Sequence, residues 1–241
     1  MKIHLYGIFW NEERMFPFFL HHYLPLCERI VLFDNGSTDN TKLLAQEHEK
    51  VEIRPWNPDC GHICDAAARH LSQVWRESIG VADWVIIADV DEFLYHQDLL
   101  GYLEQLDDIV DVVPLMGYDM INLVYPPYTG ESLTTLVRRG VRSPSYDKLS
   151  LFKPHRMKEL LYSWGRHTAR HSPLTAPKVS DVKLLHYRFL GCEDTFLRYQ
   201  SLNPKMRDGD RKNGCGAQYN DSREVFTEKF QDILAKSVNV I

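Results

Sequence analysis

The sequence contains no apolar run that approaches the ~20 residues of a membrane-spanning helix. It also lacks an excess of positive charge, because 28 Lys and Arg residues stand against 33 Asp and Glu residues and give a formal net charge of −5. This balance excludes a general nucleic-acid-binding surface. Residues 1–10 show neither the apolar core nor the small-residue cleavage site of a signal peptide. We therefore expect a protein that neither spans a membrane nor binds nucleic acid.

Cysteine is sparse and irregularly spaced. The five cysteines, at positions 27, 60, 64, 192 and 215, form no regular framework, and a chain of this length buries a core without disulfides. We therefore expect reduced thiols and a cytoplasmic location. Cys60-x-x-x-Cys64, with His62 inside it, is the alternative start of a zinc site. No second pair follows at the spacing of zinc fingers or zinc ribbons, so the sequence favours free thiols here.

The first part of the chain alternates between two patterns. Short apolar runs predict strands, and apolar residues at intervals of three and four predict helices. The predicted order is strand 3–10, helix 14–26, strand 29–33, helix 40–49, strand 51–53, helix 63–79 and strand 84–88. Such alternation predicts an α/β fold with a mostly parallel sheet and helices on both faces. We expect a single domain over 1–241, with this half at 1–95 and a second half at 96–241 in which the alternation fades.

The fourth predicted strand ends in a cluster of carboxylates. Residues 84–88 are apolar throughout, which is typical of a strand buried on both faces, and Asp89, Asp91 and Glu92 follow. On an extended backbone Asp89 and Asp91 would point to the same side. Two such carboxylates suit a hard divalent cation that also binds substrate phosphates. The alternative interpretation is that they are ordinary loop or helix-capping residues.

A second polar segment follows the predicted strand 29–33. It reads Asp34-Asn35-Gly36-Ser37-Thr38-Asp39, in which glycine permits a tight turn and the last three residues are good helix caps. One interpretation is a turn and a helix cap, and the other is that Asp34 accepts hydrogen bonds from a base or a ribose. Right-handed crossovers would place Asn11, Asp34 and Asp89 along one edge of the sheet. Open α/β sheets bind ligands at that edge.

Three motifs in this order resemble a known family. Asn11-Glu12-Glu13, then Val31-Leu32-Phe33-Asp34-Asn35-Gly36-Ser37-Thr38-Asp39, then Asp89-Val90-Asp91-Glu92-Phe93-Leu94, resemble family 2-like glycosyltransferases with the A-type fold, in the branch whose metal motif reads D-x-D-E-F. The resemblance covers residues 1–95. It implies a Rossmann-like A-type fold, a nucleoside-diphosphate-sugar donor, a saccharide or lipid-linked acceptor, and Mn²⁺ or Mg²⁺ as the cofactor. It leaves open a peripheral attachment to a membrane.

The resemblance also implies roles for individual residues. The expected nucleotide contacts are Asn11, Glu12, Glu13, Asp34, Asn35, Asp65 and Lys148. The expected metal ligands are Asp89, Asp91 and His186, and imidazole suits Mn²⁺ better than Mg²⁺. His186 follows the predicted strand 182–185. His167 is the rival of His186 and, together with Glu92, is a candidate for the acceptor side.

The catalytic base is the least determined residue. An inverting transferase needs a carboxylate beside the acceptor hydroxyl, and we predict Asp119 because it lies at a turn between the predicted strands 109–116 and 120–125. The other eligible carboxylates are Glu131, Asp147, Glu193 and Asp194. A retaining transferase would need no such base. Two other functions stay open, a metal-dependent nucleotidyl- or phosphoryl-transfer enzyme and a non-catalytic sugar-nucleotide-binding module.

The end of the chain combines a polar segment and a helical one. Residues 203–220 contain few apolar side chains, and we interpret them either as a mobile loop that folds over bound donor or as a plain connector. Residues 222–237 have apolar residues at helical spacing. They predict a final helix that packs on the body of the protein.

Overall fold

The strands and helices of the first half follow the predicted alternation. The computed structural model describes residues 1–172 and 174–241. The strands are β1 Ile3–Phe9, β2 Arg29–Asp34, β3 Val51–Pro55, β4 Trp84–Ile87, β5 Glu92–Tyr95, β6 Met116–Asn122, β7 Arg139–Arg142, β8 Leu151–Phe152, β9 Leu160–Tyr162, β10 Ala169–His171, β11 Lys183–Leu190 and β12 Val238–Asn239. The helices are α1 Phe16–Tyr23, α2 Thr41–Ala45, α3 Ile63–Val74, α4 Leu99–Glu104, α5 Leu133–Leu136, α6 Cys192–Leu202, α7 Asp208–Lys212 and α8 Arg223–Lys236.

The first sheet contains the parallel strands that the alternation predicts. Its strand order is β3-β2-β1-β4-β8, in which β3, β2, β1 and β4 are parallel and the short edge strand β8 is antiparallel. Parallel strands end at the same edge of a sheet, so Phe9 at the end of β1 pairs with Asp34 at the end of β2. The predicted α/β fold with a mostly parallel sheet is confirmed.

Helices cover both faces of this sheet, as predicted. Along β1, Ile3 and Leu5 belong to one apolar core and Tyr6 belongs to another, because successive side chains of a strand point to opposite faces. Helix α1 supplies Phe16, Phe19, Leu20 and Tyr23 to the first core, and α3 with the 3₁₀ turn after it supplies Ala68, Leu71 and Trp75 to the second. Burial on both faces explains why these strands have nearly continuous apolar sequences.

Gly7 marks the place where the chain after β4 passes close to β1. A Cβ atom at position 7 would lie 2.3 Å from the backbone oxygen of Ala88 and 3.2 Å from Cδ2 of Leu32. The first distance is shorter than a normal contact, and a backbone oxygen moves only with its strand. A residue without a side chain is therefore needed here, directly beside the start of the acidic segment at Asp89.

The second sheet is mixed. Its strand order is β12-β7-β6-β11-β5, with β11 parallel to β6 and the other pairs antiparallel. Residues 88–91 join β4 of the first sheet to β5 of the second. Strand β11 places His186 opposite Glu92 on β5 and opposite Asp119 on β6. The acidic segment therefore lies at the junction of the two sheets.

Two local predictions in this region are wrong. Asp89 and Asp91 do not lie on an extended strand, because the N–H of Glu92 donates to the carbonyl oxygen of Asp89 at 3.0 Å and closes a tight turn. Asp119 does not lie between two strands, since the single strand β6 runs through it. In both places the pairing with β11, which is distant in sequence, sets the local conformation.

The segment 203–220, predicted as a loop, has secondary structure of its own. It contains α7 and two 3₁₀ turns, and the N–H of Gly209 donates to the carbonyl oxygen of Gly61, just before α3, at 2.9 Å. The predicted final helix is confirmed as α8, which packs through Phe226 and Phe230. Within residues 1–172 and 174–241, no helix has the length and the apolar character needed to cross a membrane.

Candidate functional site

A cleft of about 900 Å³ opens where β1 and β4 of the first sheet end and β11 of the second sheet passes. Its lining includes the acidic turn, with Asp89 and Asp91, and the β11 residues His186 and Arg188. Residues of α6 and of the segment 206–219 also line it. Large concave sites with a few converging charged groups are the usual places for ligand binding, so this cleft is the candidate site.

The predicted segment 11–13 is tied to the residues that follow β2. The N–H of Asn11 donates to Ser37 Oγ at 2.9 Å, and the side-chain oxygen of Asn11 accepts from the N–H of Thr38 at 2.8 Å. Asn11 has a φ of 51°, a left-handed conformation that asparagine adopts more readily than most residues. These bonds bring the first two motifs together at the cleft.

The other predicted nucleotide contacts divide into two groups. Glu12, Glu13, Asn35 and Lys148 line the cleft, and Asp34 and Asp65 do not. Asp34 is 7% exposed, and its carboxylate accepts from the N–H of Ser37 at 2.7 Å, which favours its interpretation as a turn residue. Asp65 lies in the first turn of α3, where its carboxylate contacts Arg69 at 2.9 Å and accepts from the Trp164 indole at 3.3 Å. Both carboxylates are thus engaged beside the cleft.

Arg198 of α6 fixes the same segment from the other side, and no motif marks it. Its guanidinium donates to the carbonyl oxygens of Trp10 and Asn11 at 2.9 and 3.0 Å and forms an ion pair with Glu12. Backbone carbonyls held by a guanidinium lose much of their freedom to move. The conformation of the 11–13 segment is therefore set by contacts from two distant parts of the chain.

Glu92, predicted on the acceptor side, is buried in an ion cluster. It is 1% exposed, and its carboxylate accepts from Lys148 Nζ at 2.5 Å and from Arg166 at 2.6 Å. Burial opposes the charged form, but Arg166 and Lys148 outweigh it and hold the pKa of Glu92 well below its usual range. Lys148 is itself 3% exposed. Glu92 and Lys148 thus form a buried ion pair with each other in the lining of the cleft.

Arg166 is the cation that links this cluster to the acidic turn. It is 3% exposed, and one of its nitrogens contacts both Glu92 and Asp89, the latter at 2.9 Å, while another donates to the carbonyl oxygen of Ile87. Arg166 has a φ of 59°, which is rare for a residue other than glycine. Burial raises the pKa of Asp89, and Arg166 opposes this shift without cancelling it. No motif in the sequence marks Arg166.

His186 lies between two carboxylates. Its Nδ1 is 2.7 Å from Asp119 and its Nε2 is 3.3 Å from Asp91. Burial disfavours the charged ring, but Asp91 and Asp119 outweigh burial and raise the pKa of His186 to about 9. The ring of Tyr146 stacks on the imidazole with 4.1 Å between the ring centroids. Asp119 is not a lining residue of the cleft, and it contacts the imidazole nitrogen that faces away from Asp91.

The predicted metal ligands Asp89, Asp91 and His186 all line the cleft, but they do not form a compact trio. In the part of the chain that the structure describes, the one group of three such ligand atoms within 4.8 Å of one another lies elsewhere, around His62. Asp91 and His186 offer an oxygen and a nitrogen 3.3 Å apart, while Asp89 contacts Arg166. Mg²⁺ and Mn²⁺ sites commonly combine one or two carboxylates with substrate phosphates. Asp91 and His186 fit the protein part of such a site.

Arg188 is a second cation of the cleft that no motif marks. It lies two residues after His186 on β11, and alternate residues of a strand face the same side, so this spacing was a usable signal. Its Nε donates to the hydroxyl of Tyr199. Within residues 1–172 and 174–241 its guanidinium forms no ion pair with an Asp or Glu. Arg188 is therefore a positive charge in the cleft that is not neutralised by a direct carboxylate partner.

His167, predicted on the acceptor side, lines the cleft and is exposed. Its Nδ1 lies 2.8 Å from the carbonyl oxygen of Ser145, an acceptor, so Nδ1 carries the proton in this arrangement. Partial burial lowers the pKa of His167. Its ring meets Tyr146 edge to face, at 5.5 Å between centroids, and Tyr146 in turn stacks on His186. A single aromatic ring therefore separates the two histidines.

Comparisons with known proteins give only distant similarities. No family model matches the sequence, and no curated protein matches it. Glucosyl-3-phosphoglycerate synthase from Mycobacterium tuberculosis, solved with phosphoglyceric acid, is 20% identical over 48% of this chain and 44% of its own, with a TM-score of 0.34. GalNAc-T7 with UDP, GalNAc and Mn²⁺ is 11% identical over 73% of this chain and 30% of its own, with a TM-score of 0.36.

A third similar structure belongs to another class. A putative glucose-1-phosphate thymidylyltransferase from Bacillus anthracis, in complex with a sucrose, is 9% identical over 63% of this chain and 68% of its own, with a TM-score of 0.34. The chain spans less than half the length of the first two of these proteins. These identities and TM-scores are too low to assign an activity to the chain.

Proposed function

We propose that this protein is a metal-dependent glycosyltransferase, which moves a sugar from a nucleoside-diphosphate sugar to a hydroxyl of a saccharide or lipid-linked acceptor. The acidic turn at Asp89 and Asp91 carries the proposal, because it lies in the cleft beside His186 at the carboxyl end of a parallel sheet. The volume of about 900 Å³ falls in the upper part of the range of ~300–1,000 Å³ that is usual for ligand sites.

The nucleoside is assigned to the 11–13 segment. Ser37 and Thr38 hold Asn11 from one side, and Arg198 holds the backbone from the other. Such a surface loses little conformational entropy when a ligand binds. Asn35 and Asp39 also line this part of the cleft, and their side chains supply hydrogen-bonding groups for a base or a ribose.

The diphosphate is assigned to Asp91, His186 and Arg188. Asp91 and Nε2 of His186 would hold Mn²⁺ or Mg²⁺, which, when bound, neutralises the charge that develops on the leaving nucleoside diphosphate. Arg188 supplies a guanidinium that can bind phosphate oxygens in pairs. Asp119 keeps Nδ1 of His186 protonated and so turns Nε2 toward Asp91. Asp119 is thus proposed as a positioning residue and no longer as the catalytic base.

The acidic turn itself is supported from below. Glu92 and Arg166 hold the backbone and the carboxylate of Asp89, so we assign Glu92 to the support of the turn and no longer to the acceptor. The acceptor is assigned to the side of the cleft where His167 is exposed.

The first test is calorimetric titration of UDP, GDP and CMP into the full chain, with Mn²⁺ and with EDTA. One nucleoside diphosphate should bind in a metal-dependent way. Asp91→Asn should abolish the metal dependence, and Arg188→Gln should weaken diphosphate binding by about 1.5–3 kcal/mol, the usual range for a hydrogen bond to a charged group. Asp232→Asn is the matched control, because Asp232 pairs with Lys236 on the exposed surface of α8. Binding that ignores both the metal and Asp91→Asn would contradict the proposal.

The second test separates the two kinds of transfer. The protein is incubated with nucleoside-diphosphate sugars that carry the nucleotide found in the first test, together with saccharide or lipid-linked acceptors. The released product is identified by mass spectrometry. A glycosyltransferase releases the nucleoside diphosphate, whereas a nucleotidyltransferase releases or consumes pyrophosphate. Release or consumption of pyrophosphate would be compatible with the proposed metal site, but it would overturn the assignment to glycosyl transfer.

A further inference from the structure

Cysteines that are scattered in the sequence meet at the start of α3. Cys64 lies in the first turn of this helix, and the segment after α7 brings Cys215 to the same place. One ligand atom from each of His62, Asp210 and Cys215 lies within 4.8 Å of the other two. The backbone N–H of Cys64 donates to the Asp210 carboxylate at 2.9 Å. None of these four side chains has a role in the glycosyl transfer proposed above.

His62 has one nitrogen inside the cluster and one buried nitrogen without a partner. Its Nδ1 lies 2.7 Å from the Asp210 carboxylate and 3.2 Å from the backbone nitrogen of Asp65. Its Nε2 is buried without a hydrogen-bond partner in the described part of the chain. A cation that replaces the proton between Nδ1 and Asp210 would bind both as neighbouring ligands, because zinc takes nitrogen and oxygen ligands at about 2.0–2.2 Å.

The charge of the cluster also calls for a cation. Asp210 is 0% exposed, and the N–H groups of Ile63, Cys64 and Arg207 donate to its carboxylate at 2.9–3.0 Å. Within residues 1–172 and 174–241, no Lys or Arg side chain forms an ion pair with it. Thiol, imidazole and carboxylate ligands in one place are the set that Zn²⁺ prefers.

We propose that His62, Asp210 and Cys215 form a binding site for Zn²⁺ that is separate from the Asp91–His186 site. The cation binds as the Cys215 thiol and the His62–Asp210 pair lose one proton each to solvent, and it joins the start of α3 to α7 and to the segment that follows α7. Cys64, Met206 and Cys215 also line the cleft. Bound Zn²⁺ therefore fixes one wall of the cleft without taking part in the transfer of the sugar.

A disulfide between Cys64 and Cys215 is the competing use of the same thiols. Both thiols are free in this structure, and a disulfide between them would engage neither His62 nor Asp210. A cation binds both of these residues together with the Cys215 sulfur.

The test uses the full chain, purified with reductant, stripped with EDTA and freed of the chelator. Co²⁺ is titrated while the absorbance is recorded, and Zn²⁺ is then added as a competitor. The expected result is one tight site with a sulfur-to-cobalt charge-transfer band, which Zn²⁺ abolishes. Cys215→Ser and His62→Gln should each weaken Zn²⁺ binding by roughly 100-fold or more, since each removes a ligand.

Two control variants separate this site from other metal binding. Cys192→Ser removes a thiol that contacts Thr227 instead, and it should bind Zn²⁺ as the wild type does. Asp91→Asn should also keep the charge-transfer band, so a failure of the glycosyltransferase proposal does not affect this readout. The melting temperatures of the metal-free variants must match that of the metal-free wild type, which shows that a ligand and not the fold has been lost.

Three results would overturn the proposal. One is cobalt binding without a sulfur charge-transfer band. Another is equal Zn²⁺ affinity for Cys215→Ser and Cys192→Ser. The third is a Cys64–Cys215 disulfide, found by mass spectrometry after alkylation without reduction, in protein that binds no Zn²⁺ once reduced.

Discussion

Replacing Glu92 by glutamine tests whether the buried ion cluster supports the acidic turn. The substitution keeps the shape of the side chain and removes its charge. Arg166 then keeps Asp89 as an anionic partner at 2.9 Å. Lys148, 3% exposed, keeps the ring of Tyr146 at 4.6 Å but loses the carboxylate that binds it at 2.5 Å. Glu92→Gln therefore leaves a buried ammonium group without an anion.

The expected loss in the free energy of unfolding is large because Glu92 and Lys148 are almost fully shielded from solvent. Breaking a buried ion pair by removing one partner costs about 3–5 kcal/mol, whereas an exposed pair contributes about 0–1 kcal/mol. For a chain of this size each kcal/mol lowers the melting temperature by about 2–4 °C. Glu52→Gln is the matched control, since Glu52 pairs with Arg29 and Arg54 but its side chain is 43% exposed.

The assay is urea unfolding at pH 7, followed by far-ultraviolet circular dichroism. The proteins compared are the wild type, Glu92→Gln, Glu52→Gln, Lys148→Met and the double variant Glu92→Gln/Lys148→Met. The double variant removes both charges, so it should recover a good part of the stability that Glu92→Gln loses. A Glu92→Gln loss no larger than that of Glu52→Gln would show that the buried cluster contributes no more than an exposed ion pair. Additive losses in the double variant would refute the pairing of Glu92 with Lys148.

Two further predictions concern the fold around the site. Burial lowers the pKa of His22 from 6.5 to about 4 while its ring donates to the carbonyl oxygen of Leu94. Below pH 6.5 the unfolded chain therefore protonates His22 more readily than the folded chain does. The free energy of unfolding is highest above pH 6.5 and falls by about 2–3 kcal/mol as the pH drops to 4. Urea unfolding across this range should show a shallower pH dependence for His22→Gln than for the exposed control His21→Gln, and parallel profiles would contradict the assignment. Gly7→Ala should destabilise the fold by about 1–3 kcal/mol, because its Cβ would meet a backbone oxygen at 2.3 Å. Gly61→Ala is the control, since a Cβ at position 61 would meet no atom within 4 Å. Equal melting temperatures of the two variants would show that β1 adjusts to the added methyl group.

Much of the architecture was readable from local patterns. The runs at 29–33 and 84–88 predicted strands, the second of them buried on both faces, and the structure has β2 and β4 there. Because parallel strands end at one edge, the positions of Asn11 and Asp89 directly after predicted strands were enough to place them on the same edge. Both residues line the cleft. The apolar pattern and the succession of strands and helices along the chain were enough for this prediction. Both can be read from short, neighbouring stretches of sequence.

Other features depended on contacts between distant parts of the chain. Asp89 and Asp91 form a turn because β5 leaves toward β11, and Asp119 faces His186 because β6 pairs with β11. No pattern within either segment contains that pairing, so the extended acidic strand and the turn at Asp119 were wrong predictions. The apolar pattern of a strand predicts which of its residues are buried. The neighbouring strand in the sheet decides which side chains those residues contact.

The charges of the site show the same division. Motif and strand end coincide at the sheet edge, so the order of the residues was enough to predict that Asp89 and Asp91 lie there. The cations that meet the carboxylates come from distant parts of the chain, with Lys148 56 positions from Glu92 and Arg198 186 positions from Glu12. Ion pairs depend on distances of a few ångströms between atoms, and such distances are set by the packing of whole elements. Arg166 and the cluster of His62 with Asp210 and Cys215 became visible for this reason only once the chain was folded.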